Sequence, residues 1–326
     1  MSRQYSLIRN GLYLGDMSCA LDSALSLELD IRNVLSLTDR AAAEQVRTVQ
    51  TEVCSEIKFK HVELEDSQNA DLLSHLDECC EFVATGLANS RGSVLVHCFA
   101  GVSRSASVVI AFLMKSESLS LQDALDRVRK QSSCISPNIG FMKQLSLYGE
   151  MGNRVDESSM QFRQYKLEKL AASIQGGEQE IPAAALVSDP LLQSHKSKDT
   201  VLHKCRKCRR VLFTEDAVLR HEPGKGSEAF GWRTKAREST RVTASENLST
   251  VCSSYFTEPV EWMREGLKGV IEGKLLCPKC NSRVGAFNWA GIQCSCGRWI
   301  TPAFQFHKNR VDDSKYIPVS PLLKTT

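Results

Sequence analysis

The stretch Val94-Leu95-Val96-His97-Cys98-Phe99-Ala100-Gly101-Val102-Ser103-Arg104-Ser105 decides how the first half of this chain folds. Its apolar start has the composition of a buried strand, and the strand ends at Cys98. From Arg104 onward Val108, Val109, Phe112 and Leu113 recur at helical spacing. Between strand and helix the backbone must curl with its amides inward, and Gly101 relieves the strain of that curl. A helix N-terminus offers unpaired N–H groups and the positive end of a dipole, which suit an anion. The expected product is a cup sized for a dianionic phosphate, with Cys98 at its floor and Arg104 on its wall. Amide dipoles and the guanidinium favour the thiolate, the nucleophilic form, and Arg104 can grip two phosphate oxygens at once. A lone buried cysteine would carry no such reading. Five specified positions together (His97, Cys98, Gly101, Arg104, Ser105) do.

Outward from this stretch, short apolar runs at residues 12–14, 34–37, 57–64 and 94–96 read as strands. They alternate with helical patterns at 18–29, 41–54 and 71–88, and further helical segments follow at 103–115, 121–130 and 138–151. The alternation predicts an α/β sandwich with a largely parallel sheet, helices on both faces and a ligand at the carboxyl ends of the strands. Cys98 lies at such an end. Between the strand at 57–64 and the helix at 71–88 lies the polar loop Glu65-Asp66-Ser67-Gln68-Asn69-Ala70. Expelling a phosphoester alkoxide or phenoxide needs a positioned acid, and this loop supplies carboxylates.

His-Cys, five residues, then Arg-Ser is similar to the signature of the cysteine-dependent protein phosphatases. Ala100-Gly101-Val102-Ser103-Arg104-Ser105 resembles the dual-specificity branch, as do Leu12-Tyr13-Leu14-Gly15 and Pro137-Asn138-Ile139-Gly140-Phe141. The resemblance implies the cysteine-phosphatase sandwich and phosphoprotein substrates, with Cys98 as nucleophile and no metal in the chemistry. The loop Phe99, Ala100, Gly101, Val102 and Ser103, with Arg104, would bind phosphate. Asp66 matches the family's general acid by its place about thirty residues before the nucleophile, with Glu65 and Asp71 as neighbours that could be mistaken for it. Ser105 would assist departure of Cys98 from the cysteinyl-phosphate, a role compatible with an ordinary first-turn serine. His97 and Asn138 would support the loops by hydrogen bonds. A shallow cleft is implied that admits phosphoserine and phosphothreonine beside phosphotyrosine.

The chain has 326 residues, 42% of them hydrophobic, which suits about two globular domains. Neither a secretory leader nor an apolar run of membrane-spanning length is present in the sequence, so a reducing, intracellular setting is expected. The catalytic domain is expected over residues 1–172, a linker over 173–199, a zinc-binding domain over 200–316 and a tail over 317–326. Charge divides unequally: net −6 over residues 1–199 and +9 over 200–326. A basic half suggests an acidic partner such as nucleic acid, or a counterweight to metal-bound thiolates.

The second half has seven cysteines: Cys205, Cys208, Cys252, Cys277, Cys280, Cys294 and Cys296. Paired cysteines one or two residues apart, three times in a hundred residues, predict zinc knuckles and a small, mostly β domain nucleated by metal. Two tetrahedral sites need eight ligands, so one histidine among His203, His221 and His307 completes them. His221, ending a helical-looking segment at 215–221, is preferred. The preferred sets are Cys205, Cys208, His221, Cys252 and Cys277, Cys280, Cys294, Cys296; a cross-braced exchange of pairs stays open. Trp232, Trp262, Trp289 and Trp299 are expected mainly in the small core, with one or two exposed beside Lys204, Arg206, Lys207, Arg209 and Arg210 and able to stack on bases. Cys-Arg-Lys-Cys-Arg-Arg, Thr-Glu-Pro-Val-Glu-Trp-Met and Gly-Arg-Trp-Ile-Thr-Pro-Ala-Phe resemble the dual-specificity phosphatases that carry a carboxyl-terminal zinc domain. That resemblance implies a part in maturation of the large ribosomal subunit, a pre-ribosomal or ribosomal RNA partner, and residence in nucleus and cytoplasm.

Overall fold

The computed structural model describes residues 5–88, 92–192, 200–224 and 252–315. It comprises two compact units, Met1–Phe162 and Arg163–Thr326. The first is built on β1 (Tyr5–Arg9), β2 (Leu12–Gly15), β3 (Ile31–Thr38), β4 (Lys58–Glu63) and β5 (Ser93–His97), in the spatial order β1-β2-β5-β3-β4. β1 is antiparallel to β2 and the remaining pairs are parallel. The central strands β3 and β5 are buried nearly throughout, as strands covered on both faces must be. On one face α1 (Met17–Ala20), α2 (Ser23–Glu28) and α3 (Arg40–Val53) bring Ala20 and Val46 onto Ile31, Val34 and Leu95. The other face carries α4 (Leu76–Ala88) and α5 (Arg104–Glu117), with α6 (Leu121–Gln131) and α7 (Ile139–Glu150) against α5. This is the expected sandwich.

Side-chain caps set most helix starts. Asp16, Asp22, Asp39, Ser120 and Asn138 each accept from the N–H three residues on, an interaction worth ~1 kcal/mol. The cap at Asp22 is why the helix expected over 18–29 is two short helices. The helix expected from residue 71 begins instead as a 3-10 turn, Leu73–His75, because the Asp71 carboxylate takes both the N–H and the hydroxyl of Ser74. β1 was not foreseen. Its Tyr5 and Leu7 are exposed, so the segment lacks the apolar run of a central strand.

The second unit holds β6 (Val201–Cys205), β7 (Val211–Thr214), β8 (Ser254–Phe256), β9 (Glu272–Leu276), β10 (Arg283–Asn288), β11 (Ile292–Gln293), β12 (Trp299–Ile300), β13 (Ala303–His307) and β14 (Val311–Lys315). They form antiparallel sheets in the orders β8-β13-β10-β9, β14-β6-β7 and β11-β12. The mostly β expectation holds, but the boundaries differ. The division falls within α8 (Met160–Gln175), and Leu167, Ala171 and Ile174 of that helix share a core with Leu212, Phe213, Leu275, Trp289, Phe304 and Phe306. The supposed linker contributes as well: Ile181 is buried in that core, Val187 N donates to Pro259 O (2.9 Å), and Asp189 pairs with Arg210. A small β domain has little apolar mass of its own, and this helix and extended segment supply it. The expected catalytic end at 172 and linker at 173–199 are corrected accordingly; residues 193–199 and 316–326 lie outside the described residues.

Candidate active site and metal clusters

β5 delivers His97 to the sheet's carboxyl edge, and α5 starts six residues after Cys98. Cys98 is 1% exposed. Its Sγ accepts from Gly101 N (3.2 Å) and from Ser105 Oγ (3.2 Å). The loop is held open from outside: Met17 N donates to Phe99 O (3.1 Å) and Ser136 N to Val102 O (2.9 Å). Gly101 has φ +72°, and a Cβ there would stand 3.1 Å from the Gly15 backbone, so only glycine fits. Phe99 and Ala100 lie exposed on the rim, Phe99 at 66%.

Arg104 reaches back from the first turn of α5. Its Nη1 donates to Leu64 O (3.1 Å), while its buried Nε has no partner among the described residues and lies 4.0 Å from Asp66 Oδ2. One edge of the guanidinium is therefore anchored and the other is available to an oxyanion. Asp66 stands on the loop after β4. Its Oδ1 accepts from Ser103 Oγ (2.7 Å) and from Asn138 Nδ2 (2.8 Å), and Asn138 N donates to Ser103 Oγ (3.2 Å). Asn138 also caps α7 through Phe141 N. The sequence-predicted residues Cys98, Arg104, Ser105, Asp66 and Asn138 thus converge on one site. Asp71 instead accepts from Ser74 N and Ser74 Oγ.

Ser103 differs from expectation. The resemblance places it in the phosphate loop; its hydroxyl goes to Asp66 and leaves α5 without a side-chain cap. Gly140 lies in the Pro137–Phe141 stretch. A Cβ there would meet Gln68 O at 2.1 Å and Gln68 Cα at 2.6 Å, so α7 starts directly against the backbone of the Asp66 loop. His97 is fully buried; its Nδ1 faces Cys98 O (3.3 Å), and burial holds the imidazole down at about 4. A neutral ring behind the loop fits support. Burial pushes the Cys19 thiol up to about 11 and the Cys80 thiol up to about 12, which keeps these two protonated and poor nucleophiles.

In the second unit two clusters bring ligand atoms together: Cys205, Cys208, Cys277, Cys280, and His221, Cys252, Cys294, Cys296, each set within 4.8 Å. Cys205 and Cys280 sulfurs are 3.8 Å apart and Cys208 and Cys277 sulfurs 3.5 Å; His221 Nε2 is 3.3 Å from Cys252 Sγ and 3.4 Å from Cys296 Sγ. A tetrahedron with Zn–S near 2.3 Å separates sulfurs by about 3.8 Å, so both clusters fit a metal ion of this kind. All eight expected ligands are present, and Cys252 is a cluster member rather than a free thiol. The preferred pairing is corrected to the cross-braced exchange.

The reason for the exchange is geometric. Cys205 N bonds Arg210 O and Cys277 N bonds Ser282 O, closing like turns at the ends of β6 and β9, with Arg209 and Asn281 left-handed after the second cysteine. These two turns face each other. The third, Cys294 to Arg298 with Gly297 left-handed, faces the segment bearing His221, which follows a single 3-10 turn (Glu215–Ala217) and then runs extended rather than helical. Ser282 Oγ lies 3.0 Å from Cys280 Sγ and draws that thiol down to about 6, a supporting bond outside the ligands themselves.

The other histidine candidates lie elsewhere: His203 is held between Glu215 and Asp313, each at 2.9 Å, and His307 is on β13. Trp289 is buried, Trp262 donates to Leu212 O, and Trp299 is 58% exposed; Trp232 lies outside the described residues. The expected basic stretch is partly spent within the fold. Arg206 and Arg209 pair with Asp312, and Arg210 is bound to Asp189 at 2.5 Å with both side chains largely buried.

Comparison with known proteins agrees with this geometry. The dual specificity phosphatase catalytic domain matches residues 12–151. Dual specificity protein phosphatase 12 of Mus musculus is 44% identical over 313 residues, covering 96% of this chain and 89% of the relative. Tyrosine-protein phosphatase YVH1 of Saccharomyces cerevisiae is 30% identical, covering 96% and 92%. The crystal structure of the Yvh1 phosphatase domain from Chaetomium thermophilum is 30% identical, covers 45% of this chain and 94% of that one, and superposes with a TM-score of 0.40. Among the described residues no helix is long and apolar enough to cross a membrane. With a thiol cup, an arginine and a loop carboxylate in one unit and two cysteine clusters in the other, the chain belongs to the dual specificity protein phosphatases, in the family of dual specificity protein phosphatase 12.

Proposed function

We propose that the first unit hydrolyses phosphotyrosine, phosphoserine and phosphothreonine in proteins through a cysteinyl-phosphate. The observation that carries this is the Cys98 sulfur receiving hydrogen bonds from Gly101 N and Ser105 Oγ beside Arg104 and Asp66. The thiolate attacks phosphorus while Arg104 and the loop amides from Phe99 to Ser103 hold the equatorial oxygens. Asp66 gives its proton to the leaving oxygen. Water then attacks the cysteinyl-phosphate, Asp66 takes the water's proton, and the bond from Ser105 stabilises the Cys98 thiolate as inorganic phosphate forms. His97 and Asn138 hold the loops. Cys98→Ser should abolish turnover of an aryl phosphate while retaining binding of a phosphate analogue, and Asp66→Asn should lower turnover by about 10²–10⁴. Appreciable hydrolysis by Cys98→Ser sinks the mechanism.

The second unit, in this reading, holds two structural zinc ions, one per cluster, which stabilise its small core. Its net charge of +9 over residues 200–326 and the exposed Trp299 favour a companion reading: an assembly factor that binds a pre-ribosomal particle or ribosomal RNA during large-subunit maturation, in nucleus and cytoplasm. Growth restored by a Cys98→Ser chain but not by a chain without the second unit would place that role above catalysis.

A further inference from the structure

Among the described residues, the arginines of the Cys205–Arg210 turn are paired with carboxylates, but a second group of cations in this unit is not. Ser253, Arg283, His307, Lys308, Asn309 and Arg310 line a cleft of about 560 Å³. Arg283, Lys308 and Arg310 are exposed and have no carboxylate partner among the described residues, in contrast to Arg206, Arg209 and Arg210. Lys308 Nζ sits 4.9 Å above the Tyr255 ring, which leaves its ammonium unneutralised, and Arg283 spends only its Nε, on Gly285 O. Burial and the neighbouring Arg283 and Arg310 hold His307 below its ordinary value, the response of an imidazole in a positive field.

Three unpaired cations around one cleft repel each other, and an anion relieves that repulsion. We propose that this cleft binds consecutive phosphates of a single-stranded RNA backbone, which rests on the RNA-binding reading above. The lining side chains are polar or charged, with no Phe, Tyr or Trp among them, so the contacts on offer are to the sugar–phosphate chain and carry no base sequence. Ser253 and Asn309 add hydrogen-bonding groups suited to phosphate oxygens. The walls are fixed by the metal clusters. Ser253 follows Cys252 and its N–H donates to Ser295 Oγ (2.9 Å), between Cys294 and Cys296; Arg310 O accepts from Arg206 N (3.0 Å), beside Cys205. The cleft is thus braced by a ligand turn of each cluster, and its cations keep their spacing.

The test uses the full metal-loaded chain and fluorescent single-stranded RNA of mixed sequence, with Kd measured from 50 to 300 mM salt. Each single-strand phosphate contact contributes ~0.7 to the slope of log K against log salt. Arg283→Gln/Lys308→Gln/Arg310→Gln should therefore flatten the slope by about 2 and weaken binding about 100-fold at 0.1 M salt, while Arg209→Gln changes little. Lys308→Gln alone, should the triple variant misfold, should flatten the slope by about 0.7. Unchanged slopes in a wild-type protein that does bind RNA overturn the cleft and leave the RNA reading standing. Absence of RNA binding by the wild type overturns both. Strong preference for one homopolymer, or tripolyphosphate binding as tightly as RNA, overturns the backbone assignment.

Discussion

Gly140→Ala is the most economical probe of how the Asp66 loop is held. The added Cβ would lie 2.1 Å from Gln68 O and 2.6 Å from Gln68 Cα, both backbone atoms two residues from Asp66. Ordinary contact begins at 3.4 Å, so the loop or the start of α7 must retreat by about 1.3 Å. Asp66 is tied to the same place by Asn138 Nδ2 at 2.8 Å, and Asn138 is the cap of α7, so the retreat reaches the carboxylate directly. The cup itself, with Gly101 N and Ser105 Oγ on Cys98 Sγ, is not touched. A misplacement of about 1 Å costs on the order of 10² in rate when the displaced group acts in the transition state. For phosphate esters with poor leaving groups kcat should therefore fall about 10²-fold. Esters whose leaving group needs no proton should lose little. The assay is a series of aryl phosphates of graded leaving-group pKa, with phosphate-analogue affinity as control for the cup. The variant's dependence on leaving-group pKa should steepen. Equal losses across the series, or none, would refute both the tight approach and the role given to Asp66. Overpacking also costs ~1–3 kcal/mol of stability, and a melting curve separates that loss from the kinetic one.

Two further outcomes follow from the buried histidine and from the cross-braced clusters. Because burial holds His97 down at about 4 while an unfolded histidine titrates near ~6.5, the unfolded state binds the extra proton between those values. Stability present at neutral pH is thus lost as pH falls through that window, about 2 kcal/mol by pH 5; His97→Asn should lack this increment of acid sensitivity, and identical acid limbs in the two proteins would refute the burial argument. Cys208→Ser and Cys277→Ser should each release one metal ion, and the double variant should release the same one, since both residues belong to one cluster; loss of two ions by the double variant would restore the uncrossed pairing.

The signature around Cys98 was legible because its parts are contiguous: strand, curl and helix start are written in one run, and chain geometry dictates the rest. Asp66 was legible only by its order after a strand. What the sequence withholds is contact between distant positions. Ser103 and Asp66 are 37 positions apart and Gly140 lies 72 beyond Gln68, and no local pattern marks either meeting. The metal ligands show the same division. Each knuckle is readable from its spacing, but which two share an ion depends on which hairpin ends the sheets bring together, and all knuckles look alike in one dimension. Nor does the sequence show which core the apolar stripe of α8 serves.

That stripe has a consequence for dissecting the protein. A fragment begun at residue 200 would retain every cluster ligand yet lack Leu167, Ala171, Ile174 and Ile181, all buried in the second core. Burial of three aliphatic side chains alone contributes roughly 5–9 kcal/mol, comparable with the ~5–15 kcal/mol that separates a folded domain from its unfolded chain. Such a fragment would chelate metal and still present Leu212, Trp289 and Phe306 as a sticky open face. Loss of function in it would report a missing helix, not a missing partner site; a faithful fragment starts ahead of Arg163.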